Sequence, residues 1–324
     1  MYTVGIIGAG KIAGLFDSPG EMNSINTHAR AVYSNPKLKL ISVVDPNKET
    51  LKNFSRSWKV KNSFQSLDKF LQTKLPDIVC ICSPNTTHYR IAAKLLTHNQ
   101  PPKLLFIEKP VVVLPIELKR IIELEKRSKC RVVVNRKISL DPMHQKLSKI
   151  ISSGILGKML EGKFTYYGGW LNNGVHLMDL IFMLFGDRFN FDKSKLQEFG
   201  RKNDPCINTA LNFNKFEVEV NSIDEKNYQL FEGEFRFTKG RVIYGDFGSK
   251  ISVEGVVRNK TGEFVLDRNN SYDLHGLASP FEYSYERIVK YLDRNDKAFL
   301  AGISLNDIKP LMNKVFMLEK KVHN

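Results

Sequence analysis

The chain has 324 residues, 42% hydrophobic and 26% charged, without low-complexity tracts or internal repeats. That length suits two domains, and no apolar run is long enough to span a bilayer, so no membrane partner is expected. The net charge of +15 is uneven: residues 1–131 hold 21 Lys and Arg against 10 Asp and Glu, the remainder 28 against 24. The basic residues are scattered without a recognition motif, which argues against nucleic acid. They fit either a lysine-rich solvated surface or a field that draws anionic ligands.

The first elements carry the strongest signal. Val4, Ile6 and Ile7 form an apolar run that fits a buried parallel strand. It breaks into Gly8-Ala-Gly10-Lys11-Ile12-Ala13, a G-x-G-x-x-A loop. Gly8 permits a tight turn, Gly10 lets backbone approach a pyrophosphate, and Ala13 allows close helix–strand packing. A helix is expected to follow, its amides toward phosphate. Leu38–Asp45 is a second strand ending in an acid, where such folds place the carboxylate for the adenosine ribose. Asp45 is otherwise a turn residue before Pro46. The long interval between loop and acid implies an insertion over Leu15–Asn26, rich in turn formers.

Helices are expected at 48–58 and 67–71, then a strand at 77–82 running into Ser83-Pro84-Asn85-Thr-Thr-His88 and a half-buried helix. Leu104–Ile107 ends in Glu108-Lys109-Pro110, a helix covers about 115–129, and Arg131–Asn135 closes the series. Strands alternating with helices predict an α/β, doubly wound parallel sheet over residues 1–134. Ligands bind beyond the carboxyl ends of such strands, where Asp45, the 83–88 turn, Lys109 and Arg136 all fall.

Residues 135–324 read as an α+β substrate-binding and oligomerisation domain. A helix at 143–153 stops at Gly154, and a strand leads through Tyr167 into Gly168-Gly-Trp170-Leu-Asn172-Asn173-Gly174-Val-His176 and an apolar helix. Strands at 208–221, 228–237, 241–247 and 251–257 without intervening helices predict a largely antiparallel open sheet. Helices at 280–293 and 304–322 end the chain. The four cysteines lack metal-ligand spacing, so no metal is expected, and with a strand opening the chain they suggest a cytoplasmic protein with reduced thiols.

These residues resemble the Gfo/Idh/MocA oxidoreductases, sugar and inositol dehydrogenases with an N-terminal Rossmann domain and a C-terminal open-sheet domain. The resemblance spans nearly the whole chain and rests on the glycine loop, Thr27-His28-Ala, Ser83–His88, Glu108-Lys109-Pro110, Ile151–Lys158 and Gly174–Asp179. It implies NAD, with Lys48 near Asp45 leaving NADP open, bound by Gly8, Gly10, Lys11, Ile12, Asp45, Ser83, Pro84, Asn85, His88, Glu108 and Lys109. It places Lys109, before a cis peptide bond to Pro110, between nicotinamide and substrate, and makes His176 the proton-exchanging residue. Most relatives carry aspartate four residues before that histidine; here Asn172 can bind a hydroxyl but cannot take a proton.

Arg136, Tyr166, Tyr167, Trp170, Asn172, Asn173 and His176 are the candidate substrate wall, although strand-end aromatics also serve as core. The Gly-Gly-Trp-Leu-Asn-Asn-Gly stretch resembles a branch of the family in nucleotide-sugar and polysaccharide biosynthesis. Phe and Tyr of the sheet are expected on its open face, joining copies into a homodimer or homotetramer. Two other functions fit the same residues: a non-catalytic nicotinamide-binding sensor or regulator, which Asn172 favours, and an imine or enamine reductase.

Overall fold

The computed structural model describes residues 1–19, 25–275 and 280–323. Two compact units emerge, Met1–Lys137 with Ser279–Lys309, and Ile138–Ala278 with Pro310–Asn324.

The first unit begins with β1 (Tyr2–Ile7), α1 (His28–Ser34), β2 (Leu38–Val44), α2 (Lys48–Ser57), β3 (Asn62–Phe64) and α3 (Leu67–Leu71). It continues through β4 (Ile78–Ile81), α4 (His88–Leu96), β5 (Leu104–Ile107), α5 (Pro115–Arg127) and β6 (Arg131–Val134). All six strands are parallel, in the order β3-β2-β1-β4-β5-β6, which reverses direction between β1 and β4. Strands β4 and β5 are buried at every residue, as a sheet covered on both faces demands. Polar caps set the helix starts: Thr27 accepts from the Arg30 amide and Asn47 from those of Glu49 and Thr50.

The loop after β1 departs from expectation. Instead of a long helix there is one wide turn, Lys11–Leu15, with the Leu15 amide on the Gly10 carbonyl. Asp17 then closes the base of the insertion, accepting from the Asn26 amide and the Thr27 hydroxyl. Residues 20–24 of that insertion lie outside the described residues.

The second unit starts in the short helix α6 (Lys137–Leu140) and continues through α7 (Pro142–Ser152), β7 (Met159–Tyr167) and α8 (Val175–Phe185). Seven strands follow: β8 (Asn190–Leu196), β9 (Ile207–Asn212), β10 (Glu217–Ile223), β11 (Glu232–Phe237), β12 (Gly240–Gly245), β13 (Lys250–Arg258) and β14 (Phe264–His275). With β7 they form one sheet, ordered β14-β13-β12-β11-β7-β10-β9-β8 and antiparallel except for β7 with β10. The single strand expected at 208–221 is a hairpin, because Asn214 takes φ +67° and the Phe213 amide closes on the Phe216 carbonyl. Polar β8 and β14 lie outside the apolar runs by which strands were expected. Helix α9 (Pro280–Arg294) packs in the first unit, and α10 (Leu305–His323) ends the chain.

Most of the large aromatic residues of this sheet do not lie on its open face, although Phe264 of β14 is exposed beside Arg258. Phe164, Phe235, Phe237 and Tyr244 are buried on the covered side, where Phe164 packs on Phe231, Phe235 and Tyr244. The other face carries a charged ladder in which Arg236 pairs with Glu161 and Glu234, and Arg241 with Glu234 and Glu254. Period-two alternation sorts the side chains: the apolar set takes the helix-covered face and leaves charge to the other. Phe164→Ala removes the ring at the centre of that cluster and is expected to destabilise the fold by about 3–5 kcal/mol in urea denaturation.

Candidate functional site

The glycine loop is built for two different reasons. Gly8 has φ +92°, and a Cβ there would lie 2.6 Å from the Ser83 amide nitrogen, so conformation and crowding both require glycine. Gly10 has an ordinary φ of −78°, and a Cβ on it would meet nothing within 4 Å. Among the described residues nothing fills that side, which is the approach a pyrophosphate needs. Asp45 accepts from the Ala9 amide through Oδ2 at 2.8 Å and from the Asn47 amide through Oδ1 at 2.8 Å. It is therefore both a turn residue and a clamp on the glycine loop. Lys11 is exposed, its Nζ 5.9 Å over the Phe16 ring, and Ile12 is half-buried.

The 83–88 turn packs beside this loop. The Ser83 and Thr87 hydroxyls bond at 2.7 Å, and the Pro84 carbonyl accepts from the Thr87 amide. Asn85 is half-buried. His88 is buried, with Nε2 2.8 Å from the Ser83 carbonyl oxygen and Nδ1 2.8 Å from that of Pro110. Burial, offset in part by those carbonyls, lowers its pKa. Its ring bridges two strand-end loops, so it holds the site rather than offering a nitrogen to a ligand.

Glu108 is likewise inside. Its Oε1 lies 2.9 Å from His28 Nε2 and accepts from Asn135 Nδ2 at 2.6 Å, while His28 Nδ1 meets the Tyr285 hydroxyl at 2.9 Å. That hydroxyl also contacts Cys80 Sγ at 2.9 Å. Burial alone would raise the Glu108 pKa, but His28, Asn135 and Lys109 together hold it near 2. Burial opposes charge on His28; Cys82, Tyr285 and Cys80 outweigh it and raise its pKa well above the imidazole range, and the Glu108 carboxylate works in the same sense. The result is a buried imidazolium–carboxylate pair beneath Lys109. No spacing in the sequence points to Tyr285, which arrives on α9 from far along the chain.

Lys109 itself is half-buried, between buried Glu108 and Pro110, and its bond to Pro110 is cis. Lys137, which sequence reasoning passed over, has its pKa lowered by burial, with Glu108 opposing. Arg136 donates from Nη1 to the Gly302 carbonyl at 2.6 Å. Asn135 Oδ1 is buried and meets no hydrogen-bond donor among the described residues, which leaves an acceptor at the end of β6.

In the second unit, the turn Trp170–Gly174 joins β7 to α8. Asp204 accepts from the Leu171 amide at 2.7 Å, the Pro205 carbonyl from the Trp170 amide at 2.8 Å, and the Gly168 carbonyl from Cys206 Sγ at 2.9 Å. The turn is thus pinned to residues 204–206. Trp170 is fully buried, its Nε1 donating to the Val315 carbonyl, and buried Asn173 donates to the Tyr167 carbonyl. Tyr166 is core, its hydroxyl donating to the Ile207 carbonyl and accepting from the Ile207 amide. These three support the turn and do not line a wall. Asn172 is exposed, His176 half-buried and Tyr167 half-buried. The four-residue spacing sets Asn172 and His176 one turn apart on one face.

Residues 2–136 match the model of an oxidoreductase family with an NAD-binding Rossmann fold, GFO_IDH_MocA. The first part of the chain thus carries the NAD-binding Rossmann fold of the Gfo/Idh/MocA oxidoreductases. "Oxidoreductase P35" of Formosa agariphila is 21% identical over 277 residues, 77% of this chain and 81% of that protein. The fold is shared with KijD10, a 3-ketoreductase of Actinomadura kijaniata solved with NADP, at 13% identity and TM-score 0.77, covering 98% of this chain and 97% of that one. It is shared too with the WlbA dehydrogenase of Bordetella pertussis, solved with NADH and UDP-GlcNAcA, at 14% identity and TM-score 0.75, covering 100% of this chain and 97% of that one.

The two glycines of the Gly8–Ala13 loop should separate in experiment. Gly8→Ala is expected to destabilise the fold by about 1–3 kcal/mol or more. Gly10→Ala should leave the urea midpoint unchanged and weaken dinucleotide binding about tenfold by calorimetry.

The buried pair sets an acid limit. The folded pKa of Glu108 lies below its unfolded value, so its stabilisation is complete above the unfolded carboxylate range and lost as pH falls toward about 2. His28 acts oppositely: its raised pKa stabilises fully below the unfolded imidazole value and fades as pH rises through the folded one. Glu108→Gln should cost about 3–5 kcal/mol at neutral pH, by stranding the His28 charge, and should flatten the acid limb of stability against pH.

Proposed function

We propose that this oxidoreductase moves a hydride between NAD(P) and a hydroxyl or ketone of a sugar, bound as a nucleotide sugar. The observation that carries this reading is selective exposure at two motifs. Lys109 is accessible between buried Glu108 and Pro110, and His176 between buried Val175 and Leu177. In each, the group with proton chemistry is offered while its neighbours are locked.

Gly8, Gly10, Asp45 and the 83–85 turn would hold the dinucleotide, and the open side of Gly10 and the unpartnered Asn135 Oδ1 fit such a ligand. When bound, the nicotinamide supplies or accepts the hydride. The Lys109 ammonium holds the reacting oxygen and stabilises charge developing on it. His176 takes or gives the hydroxyl proton. Asn172 binds a substrate hydroxyl without exchanging its proton. Arg136 and Tyr167 border the substrate. Asp45 favours NAD, since a carboxylate repels a 2′-phosphate.

The ketoreductase and UDP-sugar complexes among the shared folds support a sugar substrate. Place in a polysaccharide pathway, cytoplasmic residence and assembly into dimers or tetramers through the charged sheet face belong to the same proposal. Asn172 also supports a second reading, a nicotinamide-binding sensor.

Turnover is followed at the reduced-nicotinamide absorbance with a panel of nucleotide sugars. Lys109→Ala should lower kcat/KM about 100-fold or more while NADH binding, read by fluorescence, persists. Asp45→Ala should weaken NAD about tenfold or more and raise the preference for NADP. Asn172→Asp places a carboxylate one turn from His176 and should shift the pH profile upward. Tight NADH binding with no turnover across the panel, and no rescue by Asn172→Asp, would favour the sensor.

A further inference from the structure

The second unit holds a strained aromatic residue that the catalytic proposal does not use. At the end of β12, Asp246, Phe247 and Gly248 have φ +48°, +55° and +84°, three left-handed residues in succession. Gly248 adopts this freely, but for Phe247 it is a true outlier. Such strain persists only where its surroundings over-determine it. A Cβ on Gly248 would lie 2.1 Å from the Tyr244 hydroxyl oxygen and 2.8 Å from His144 Nε2. Those groups belong to a buried chain in which Asp141 Oδ2 meets His144 Nδ1 at 2.5 Å and His144 Nε2 meets the Tyr244 hydroxyl at 2.9 Å. The turn is thus pressed onto a rigid polar floor.

This conformation presents a ring. Phe247 is 40% exposed, lies parallel to buried Phe231 with an interplanar angle of 8°, and meets the Tyr167 ring edge-on at 5.6 Å. It borders a cavity of about 290 Å³ lined also by Gln229, Leu230, Phe231, Glu232 and Asp246. The volume sits at the lower end of small-molecule sites. The two charged residues lining it are both acids. An aromatic face with a partly negative surface attracts C–H edges, and carboxylate and amide side chains accept or donate to hydroxyls. Phosphate or carboxylate groups would be repelled.

We infer that the cleft beside Phe247 is a binding subsite for the ring of an uncharged, hydroxyl-rich sugar, with Phe247 as its stacking platform. The inference deepens the sugar reading above and rests on it: Tyr167, which touches Phe247, ends the strand that leads to Asn172 and His176. The subsite takes the sugar ring, and any anionic part of the substrate lies elsewhere.

The test is saturation-transfer NMR on the full chain, with and without NAD, using methyl β-D-glucopyranoside, D-glucuronate and UDP as probes. The neutral pyranoside should receive saturation through its ring C–H protons, more strongly than glucuronate or UDP. Phe247→Gly, which keeps the left-handed turn, should weaken its Kd about tenfold, and Phe247→Trp should restore it. Unchanged pyranoside binding in Phe247→Gly overturns the subsite, as does no saturable contact from the pyranoside at all. Phe247-dependent binding that prefers UDP overturns the ligand class. Loss of the folded state in Phe247→Gly, seen as a collapsed thermal transition, makes the ring structural and also overturns it. Turnover is scored separately. Phe247-dependent pyranoside binding with no nicotinamide turnover of any sugar would sink the oxidoreductase reading and leave the subsite standing.

Discussion

The carboxylate of Glu108, buried and held by His28 and Asn135, is the interaction on which the first unit's site depends. A lone carboxylate there would be too costly to desolvate, so the imidazolium must accompany it. His28 reaches it from the start of α1, and Tyr285 closes the far side of the ring from α9. The start of α1 and the end of β6 therefore meet at the residue that precedes Lys109, and α9 backs the His28 ring. The pair is worth less as net stability than as placement: removing one partner strands the other, so the backbone carrying Lys109 has little freedom to drift.

A second set of ties acts at the neighbouring strand ends. Asp45 holds the glycine loop through the Ala9 amide, and His88 spans the Ser83 and Pro110 carbonyls. Both residues had been read as ligands of the dinucleotide. Their partners are backbone groups of the loops that would touch it. Removing Asp45 thus loosens a loop as well as deleting a charge, and the two effects on dinucleotide affinity act in the same direction.

Much of this was legible in the sequence. Apolar runs ending in Gly8, Asp45, Ser83 and Lys109 mark strand ends, because strands buried on both faces read as near-continuous apolar runs. Chemistry at those ends followed from position alone. What escaped was whatever depends on long-range partners. The stripe on α9 announces that it packs, not against which sheet, so Tyr285 was invisible. Trp170 and Asn173 sit in a motif that reads as a sugar wall, yet their orientation is set by Val315 and Tyr167, which no local pattern encodes. The open face of the second sheet was misread for a related reason: aromatic content predicts burial but not which face is buried, and α-helical cover took the aromatic side. The break at Asn214 was a local signal, a residue tolerant of left-handed φ between two phenylalanines, outweighed by the apolar letters around it.

The division between holding and acting extends to the second unit. Residues 204–206 fix the turn before α8 through bonds to the Trp170 and Leu171 amides and the Gly168 carbonyl, and Asn172 and His176 project from that turn. After β12, a buried Asp141–His144–Tyr244 chain fixes the turn that carries Phe247. In both places backbone and buried polar groups fix the turn that carries the exposed side chain, which is the condition for changing specificity without losing the fold. An amide in place of an acid at position 172 is a change of that kind. It alters what the turn can do to a proton while leaving the turn itself to Asp204 and Trp170.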